Sequence, residues 1–148
     1  MFKPLLRILD NIISLNIDDI MLEILKQEDD VIELIVDLNT NGQLFQGIDS
    51  KGNDLGTYTQ LTIAIKRSKG QPTDRVTLKD TGDYYKSFDV KPYKGGFEII
   101  SNPIKEGFNL EDKYGSDLEG LTEYSLEELK FFLIPLIREY VLNKILER

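Results

Sequence analysis

Ser125-Leu126-Glu127-Glu128-Leu129-Lys130-Phe131-Phe132-Leu133-Ile134-Pro135-Leu136-Ile137-Arg138-Glu139-Tyr140-Val141 is the stretch on which the fold turns. Leu126, Leu129, Leu133, Leu136 and Tyr140 recur every three or four residues and fall on one side of a helix. Phe132, Ile137, Val141 and Ile145 widen that side to the breadth a helix needs when it lies across a sheet. Ser125 with Glu128 has the spacing of a capping box, and Tyr124 with Leu129 can staple it. Pro135 removes an amide donor inside the run and is expected to bend the axis. The prediction is a long C-terminal helix over residues 123–148.

Working outward, Tyr84-Tyr85-Lys86-Ser87-Phe88-Asp89-Val90 and Gly96-Phe97-Glu98-Ile99-Ile100 flank Lys91-Pro92-Tyr93-Lys94-Gly95. Aromatic and branched runs around a Pro/Gly-containing connection predict a β-hairpin. In such a strand Tyr84, Lys86 and Phe88 share one face, and Tyr85, Ser87 and Asp89 the other. Tyr58 to Arg67 reads as one short helix, stopped by Lys69-Gly70-Gln71-Pro72. Thr40 to Gly56 is polar and glycine-rich, a loop anchored by Leu44, Phe45 and Ile48. Before it, Pro4 opens a first helix carrying Leu5, Leu6, Ile8, Leu9, Ile12 and Ile13. A second is capped by Asp18 or Asp19, and a third runs from Glu28 to Leu38. The expected architecture is one α+β domain over 1–148: a mainly helical part (1–45), a part of loops, short helix and hairpin (46–122), and the C-terminal helix (123–148). A small antiparallel sheet with its β-hairpin packs against that long helix, with additional N-terminal helices.

Composition removes much chemistry. The 148 residues contain no cysteine and no histidine, hence no disulfide, thiolate nucleophile or imidazole base. With 18 basic against 26 acidic residues the formal charge is −8, which opposes non-specific binding to a phosphate backbone. The longest apolar run, Phe131 to Ile137, is seven residues, against about 20 for a membrane span. Met1-Phe2-Lys3-Pro4-Leu5-Leu6-Arg7-Ile8-Leu9 briefly resembles a signal sequence, but Asp10 and Asn11 interrupt it and no small-residue cleavage site follows, so the expectation is a cytoplasmic product that is not a membrane protein.

Three patterns invite a chemical reading. Asp37-Leu38-Asn39-Thr40-Asn41-Gly42 matches the first half of a calcium loop, but position 12, where a bidentate glutamate belongs, is Ile48. The adjacent acids Asp18-Asp19, Asp29-Asp30, Glu111-Asp112 and Glu127-Glu128 point about 100° apart on a helix, so each pair reads as solvated surface and not as a site. Lys66, Arg67 and Lys69 before Gly70 suggest phosphate binding, yet no glycine-rich loop precedes a helix there, and an exposed helix end explains them. No cofactor or metal is expected.

Several stretches in order carry a family likeness. They are Asp37-Leu38-Asn39 with Gln43-Leu44-Phe45, Gly47-Ile48-Asp49 with Gly52, Tyr58 with Thr62 and Lys66, and Gly70-Gln71-Pro72. Val76-Thr77-Leu78-Lys79-Asp80-Thr81-Gly82 and Tyr114-Gly115 with Gly120-Leu121-Thr122 complete the series. From about Asp18 onward the chain resembles the head–tail joining and tail-completion proteins of tailed phages, particularly small versions from phages and prophages of Bacteroidetes hosts, including crAss-like phages. The resemblance implies a structural virion protein, not an enzyme. It implies a sixfold or twelvefold ring of copies that joins portal and head to tail and continues the DNA channel, made in the host cytoplasm and incorporated in the virion neck. Its partners would be copies of itself, portal or other neck ring proteins, and tail proteins, with DNA passing through passively and no membrane. The motif positions, Asp37, Asn39, Gly47, Asp49, Tyr58, Lys66, Asp80, Thr81, Gly82, Tyr114, Gly115, Gly120 and Leu121, are turns and packing sites with no catalytic role.

Two other readings stand beside it. One is a cytoplasmic, phage-encoded adaptor or inhibitor acting as a monomeric binding module. The other is a carboxylate-dependent, metal-using enzyme, disfavoured because the chain offers neither histidine nor a convergent carboxylate pattern. In a neck ring, an acidic channel wall would repel phosphate and keep DNA from sticking.

Overall fold

The computed structural model of the chain describes residues 2–147; Met1, where the signal-like N-terminus begins, and Arg148 lie outside them. Pro4 sits in the first turn of α1 (Lys3–Ile13), where its missing amide costs nothing. Next come α2 (Ile17–Gln27) and α3 (Asp29–Thr40). The cap of α2 is Asn16, not Asp18 or Asp19: its side chain accepts from both of their backbone amides, at 3.0 and 3.2 Å. The two acids then occupy the first turn, where the helix dipole favours negative charge. Ile20, Ile24 and Leu25 of α2 and Val31, Ile35 and Leu38 of α3 are buried at helical spacing and form the centre of the core.

After a single 3-10 turn at Leu44–Gln46, the chain loops to α4 (Gln60–Ser68), capped by Thr59, whose hydroxyl accepts from Thr62 N. The hairpin is β1 (Asp89–Tyr93) and β2 (Gly96–Ile100), antiparallel with Val90 opposite Ile99 and Pro92 opposite Phe97. The second strand is where the sequence places it. The first is displaced: Tyr84 and Tyr85 belong to a helical turn, α5 (Asp83–Lys86), and the strand begins only at Asp89. Burial explains the displacement. Tyr84, Tyr85 and Phe88 are all buried, which strict alternation on a strand does not permit. A helical turn stacks Tyr84 edge-on against Phe88, centroids 5.0 Å apart, and turns the Tyr85 hydroxyl to donate to the Thr77 carbonyl. Burial, first of all, pushes the Tyr84 phenol up to about 12 and the Tyr85 phenol further still.

A second, two-residue pair, β3 (Ile104–Lys105) with β4 (Phe108–Asn109), leads into α6 (Leu110–Tyr114), and the described chain ends on α7 (Glu123–Leu146). Thr122, not Ser125, caps α7: its hydroxyl accepts from Ser125 N at 3.2 Å, and Ser125 is buried in the first turn. Leu129 and Leu133 are buried, while Leu126 and Phe132, expected beside them, stay 43% and 41% exposed. The architecture is α+β, with the long helix lying against α1, α2 and α3. Helices α2 and α3 in turn carry the β1–β2 hairpin, and Phe97 of β2 shares a groove with Leu126 and Leu129 near the start of α7. The breadth of the inner face of α7 therefore serves packing on helices more than on a sheet. Tyr140 ties α7 to the α2–α3 junction by donating to Glu28 at 2.8 Å. Burial and that carboxylate push its phenol up to about 12. Among the described residues no helix is long and apolar enough to cross a membrane.

Candidate functional site: a lysine-rimmed cleft beside an amide clamp

The motif residues gather in two places. The first is a clamp. Asn39 ends α3 with its side chain fully buried, and its amide donates to Leu118 O at 2.9 Å and accepts from Gly120 N at 2.8 Å. Gln43, one helical turn on, donates to Gly120 O and accepts from Thr122 N, both at 2.9 Å. Two side chains thus pair with the 118–122 backbone as a neighbouring strand would and hold the entry to α7. Gly120 has φ +131°, and a Cβ there would come within 2.9 Å of Ser50 Cβ. Ser50 N in turn donates to Asp117 O at 2.8 Å. Gly47 (φ +82°) opens the 47–55 turn, and the buried Asp49 carboxylate organises it by accepting from Lys51 N and Asn53 N, each at 2.9 Å. Leu121 is half-buried against the core. Asp37 lies on α3 and accepts from Asn41 at 2.6 Å, so four of the six residues in the calcium-like segment are helical, and Asn39 is committed to the clamp.

The second gathering is a cleft of about 220 Å³ between α4, the 78–80 segment, β3–β4 and α6. Tyr58, Lys66, Asp80 and Tyr114, far apart in sequence, all line it. Thr81 and Gly82 lie just beyond, with Gly82 at φ +90° starting α5 and Thr81 accepting from Asp83 N at 3.3 Å. Gly115, φ +90°, ends α6 directly after Tyr114. The walls are apolar: Ile65, Leu78, Phe108 and Leu110, with the Tyr58 and Tyr114 rings. Around them stand Lys66, Lys69, Lys79, Lys105 and Lys113 against the single acid Asp80, an excess of four positive charges in a chain of net charge −8.

Lys66 corrects the expectation of an exposed helix end: only 8% of the residue is accessible. Its ammonium lies 4.8 Å from the centre of the Tyr58 ring and donates to Gln71 Oε1 at 3.3 Å and Lys79 O at 3.2 Å. Asp80 bridges Lys69 at 2.9 Å and Lys105 at 3.3 Å. The hydrogen bond from Lys69, assisted by those from Gln71 and Lys105, holds its carboxyl well below the usual carboxylate range against the opposing effect of burial. Tyr58 also fixes the wall, its hydroxyl accepting from Thr77 N at 2.8 Å. Between the pinned Thr77 and Lys79 sits Leu78, at φ +55°, a left-handed conformation that costs a branched residue about 1 kcal/mol or more. The strained residue is itself part of the cleft wall.

Gln43, Gln71 and four of the five lysines were not among the expected site residues. Three of the four acid pairs lie as expected, with Asp18, Asp19, Asp29, Asp30, Glu127 and Glu128 exposed; of the fourth, Asp112 is exposed and Glu111 half-buried. No group of three or more potential metal ligands occurs among the described residues. Fold and site together define a small α+β chain with a cation-rimmed, apolar-walled cleft. Compared with family models, curated proteins and solved structures, it matches none.

Proposed function

We propose that the chain is a structural subunit of a tailed-phage virion, part of a neck ring that joins the portal and head to the tail and continues the DNA channel. The observation that carries this reading is apolar surface that a lone copy leaves uncovered. Helix α7 buries Leu129 and Leu133 on one side, yet Tyr124, Phe131, Pro135 and Leu142 form a second stripe on the opposite side, with Phe131 77% exposed. A helix apolar on both sides is one that is covered on both sides in its working state. Helix α1 repeats the pattern. It buries no residue, and Phe2, Leu6, Leu9 and Ile13 form an exposed stripe beside the one that meets α7, with Ile13 81% exposed. Exposed apolar stripes on two helices are surfaces of the kind that mark interaction sites.

The likeness in sequence order to head–tail joining proteins supplies the setting, and the uncovered helices supply a physical reason for a multi-subunit one. Deletion of the gene from a phage that carries it tests the proposal. Infected cells then fill with capsids that lack joined tails, and complementation with the intact chain restores infectivity. Normal infectious particles without the protein would remove the connector role and favour a monomeric adaptor.

A further inference from the structure

We infer that the lysine-rimmed cleft is the socket of a head-to-tail contact between copies of this chain, and that its occupant is the Tyr124 knob at the start of the next copy's α7. The inference rests on the ring reading and gives it a specific contact. A cyclic ring requires two different, mutually complementary patches on one subunit, since each copy presents one to the left and the other to the right. The cleft is one such patch: apolar walls, about 220 Å³, with Lys69, Lys79, Lys105 and Lys113 around it and Lys66 buried against Tyr58. An apolar cavity of about 150 Å³ holds a benzene ring, so one aromatic side chain fits.

The matching patch has the inverse character. Tyr124 is 75% exposed and stands among Glu123, Glu127 and Glu128 on the first turns of α7. Lys130 neutralises Glu127 at 2.8 Å, but Glu123 and Glu128 have no ion-pair partner among the described residues. An aromatic anchor in a pocket, with charges of opposite sign around it, is the usual make-up of an energetic hot spot. Helix α7 contributes nothing to the cleft wall, so knob and socket are separate surfaces of one copy. One anchor is less than a stand-alone interface, so each contact is weak and ring closure supplies the rest through effective concentration.

Sedimentation velocity on the purified full-length chain, from about 10 to 300 µM, tests this. Wild type self-associates at low salt, and the association weakens as the screening length falls from about 10 Å at 0.1 M to about 3 Å at 1 M. Tyr124→Ala weakens it at least about tenfold. Reversing the socket (Lys79→Glu with Lys113→Glu) or the knob (Glu123→Lys with Glu128→Lys) abolishes it, with melting temperatures confirming that each variant folds. An equimolar mixture of the two reversed variants associates again, because each socket then meets a knob of opposite charge. A monomer at all concentrations, association indifferent to these substitutions, or no recovery on mixing would overturn the inference. So would a cleft that takes a short single-stranded oligonucleotide while the chain stays monomeric. Failure here with the protein still present in virions overturns the contact and leaves the neck reading intact. Association through this contact by a protein absent from virions does the reverse.

Discussion

Replacing Asn39 by alanine tests the clamp that positions α7. The substitution removes two hydrogen bonds, to Leu118 O and from Gly120 N, at a side chain with no solvent exposure. Leu118 is itself fully buried, so its carbonyl is left without a partner, at about 1–3 kcal/mol. The Gly120 amide is half-buried and recovers part of its loss from water, adding about 1 kcal/mol. The expected cost is therefore roughly 2–4 kcal/mol, which for a chain of this size lowers the melting midpoint by roughly 4–15 °C. Asn39→Asp is at least as damaging at neutral pH, because it turns an acceptor towards the Leu118 carbonyl. Gln43→Ala costs a comparable amount, and the double variant less than the sum, since both amides hold one segment. Urea denaturation followed by far-UV circular dichroism, with an unchanged slope, gives the values. An Asn39→Ala protein within about 0.5 kcal/mol of wild type would refute the clamp as a stabilising feature.

Two further outcomes follow from the cleft. Gly82→Val lowers stability by about 1 kcal/mol or more through backbone strain, because φ is +90° while nothing lies within 4 Å of the added Cβ; thermal melts showing wild-type stability would mean that the bend tolerates a branched residue. Asp80 has a depressed pKa in the folded chain, so its ion pairs contribute stability that is present above the unfolded value of about 4 and lost as pH falls below it. Asp80→Asn accordingly melts below wild type at pH 7, and the gap narrows steadily as pH falls below about 4; a gap constant with pH would show that the carboxylate charge is not what matters.

The elements that were legible in the sequence are those set by local periodicity. The core of α7, the proline-led α1 and the strand Gly96–Ile100 follow from apolar spacing alone. The structure departs from the local pattern where two local solutions compete. Tyr84-Tyr85 suits a strand by propensity, but burying three aromatics around Phe88 requires a helical turn. Asn16, Asp18 and Asp19 are all good caps, and the chain uses the earliest, leaving the acids to the dipole. Thr122 wins over Ser125 for the same positional reason, since Ser125 is needed inside. Long-range polar pairing left no local trace. Asn39 and Gln43 meet partners some eighty residues away, and Lys66 is buried by residues from another loop, so a basic run at a helix end concealed a buried cation. Tyr58, Lys66, Asp80 and Tyr114 lie far apart in the sequence, and only folding places them around one cleft.

A connector role requires the chain to be a stoichiometric part of a particle. Quantitative mass spectrometry of density-purified virions, with the portal protein as internal standard, measures this. The prediction is a fixed ratio to portal corresponding to a ring of several copies per particle, retained after high-salt washing. A protein abundant in the infected cell but absent from purified virions, or present below one copy per particle, would contradict it.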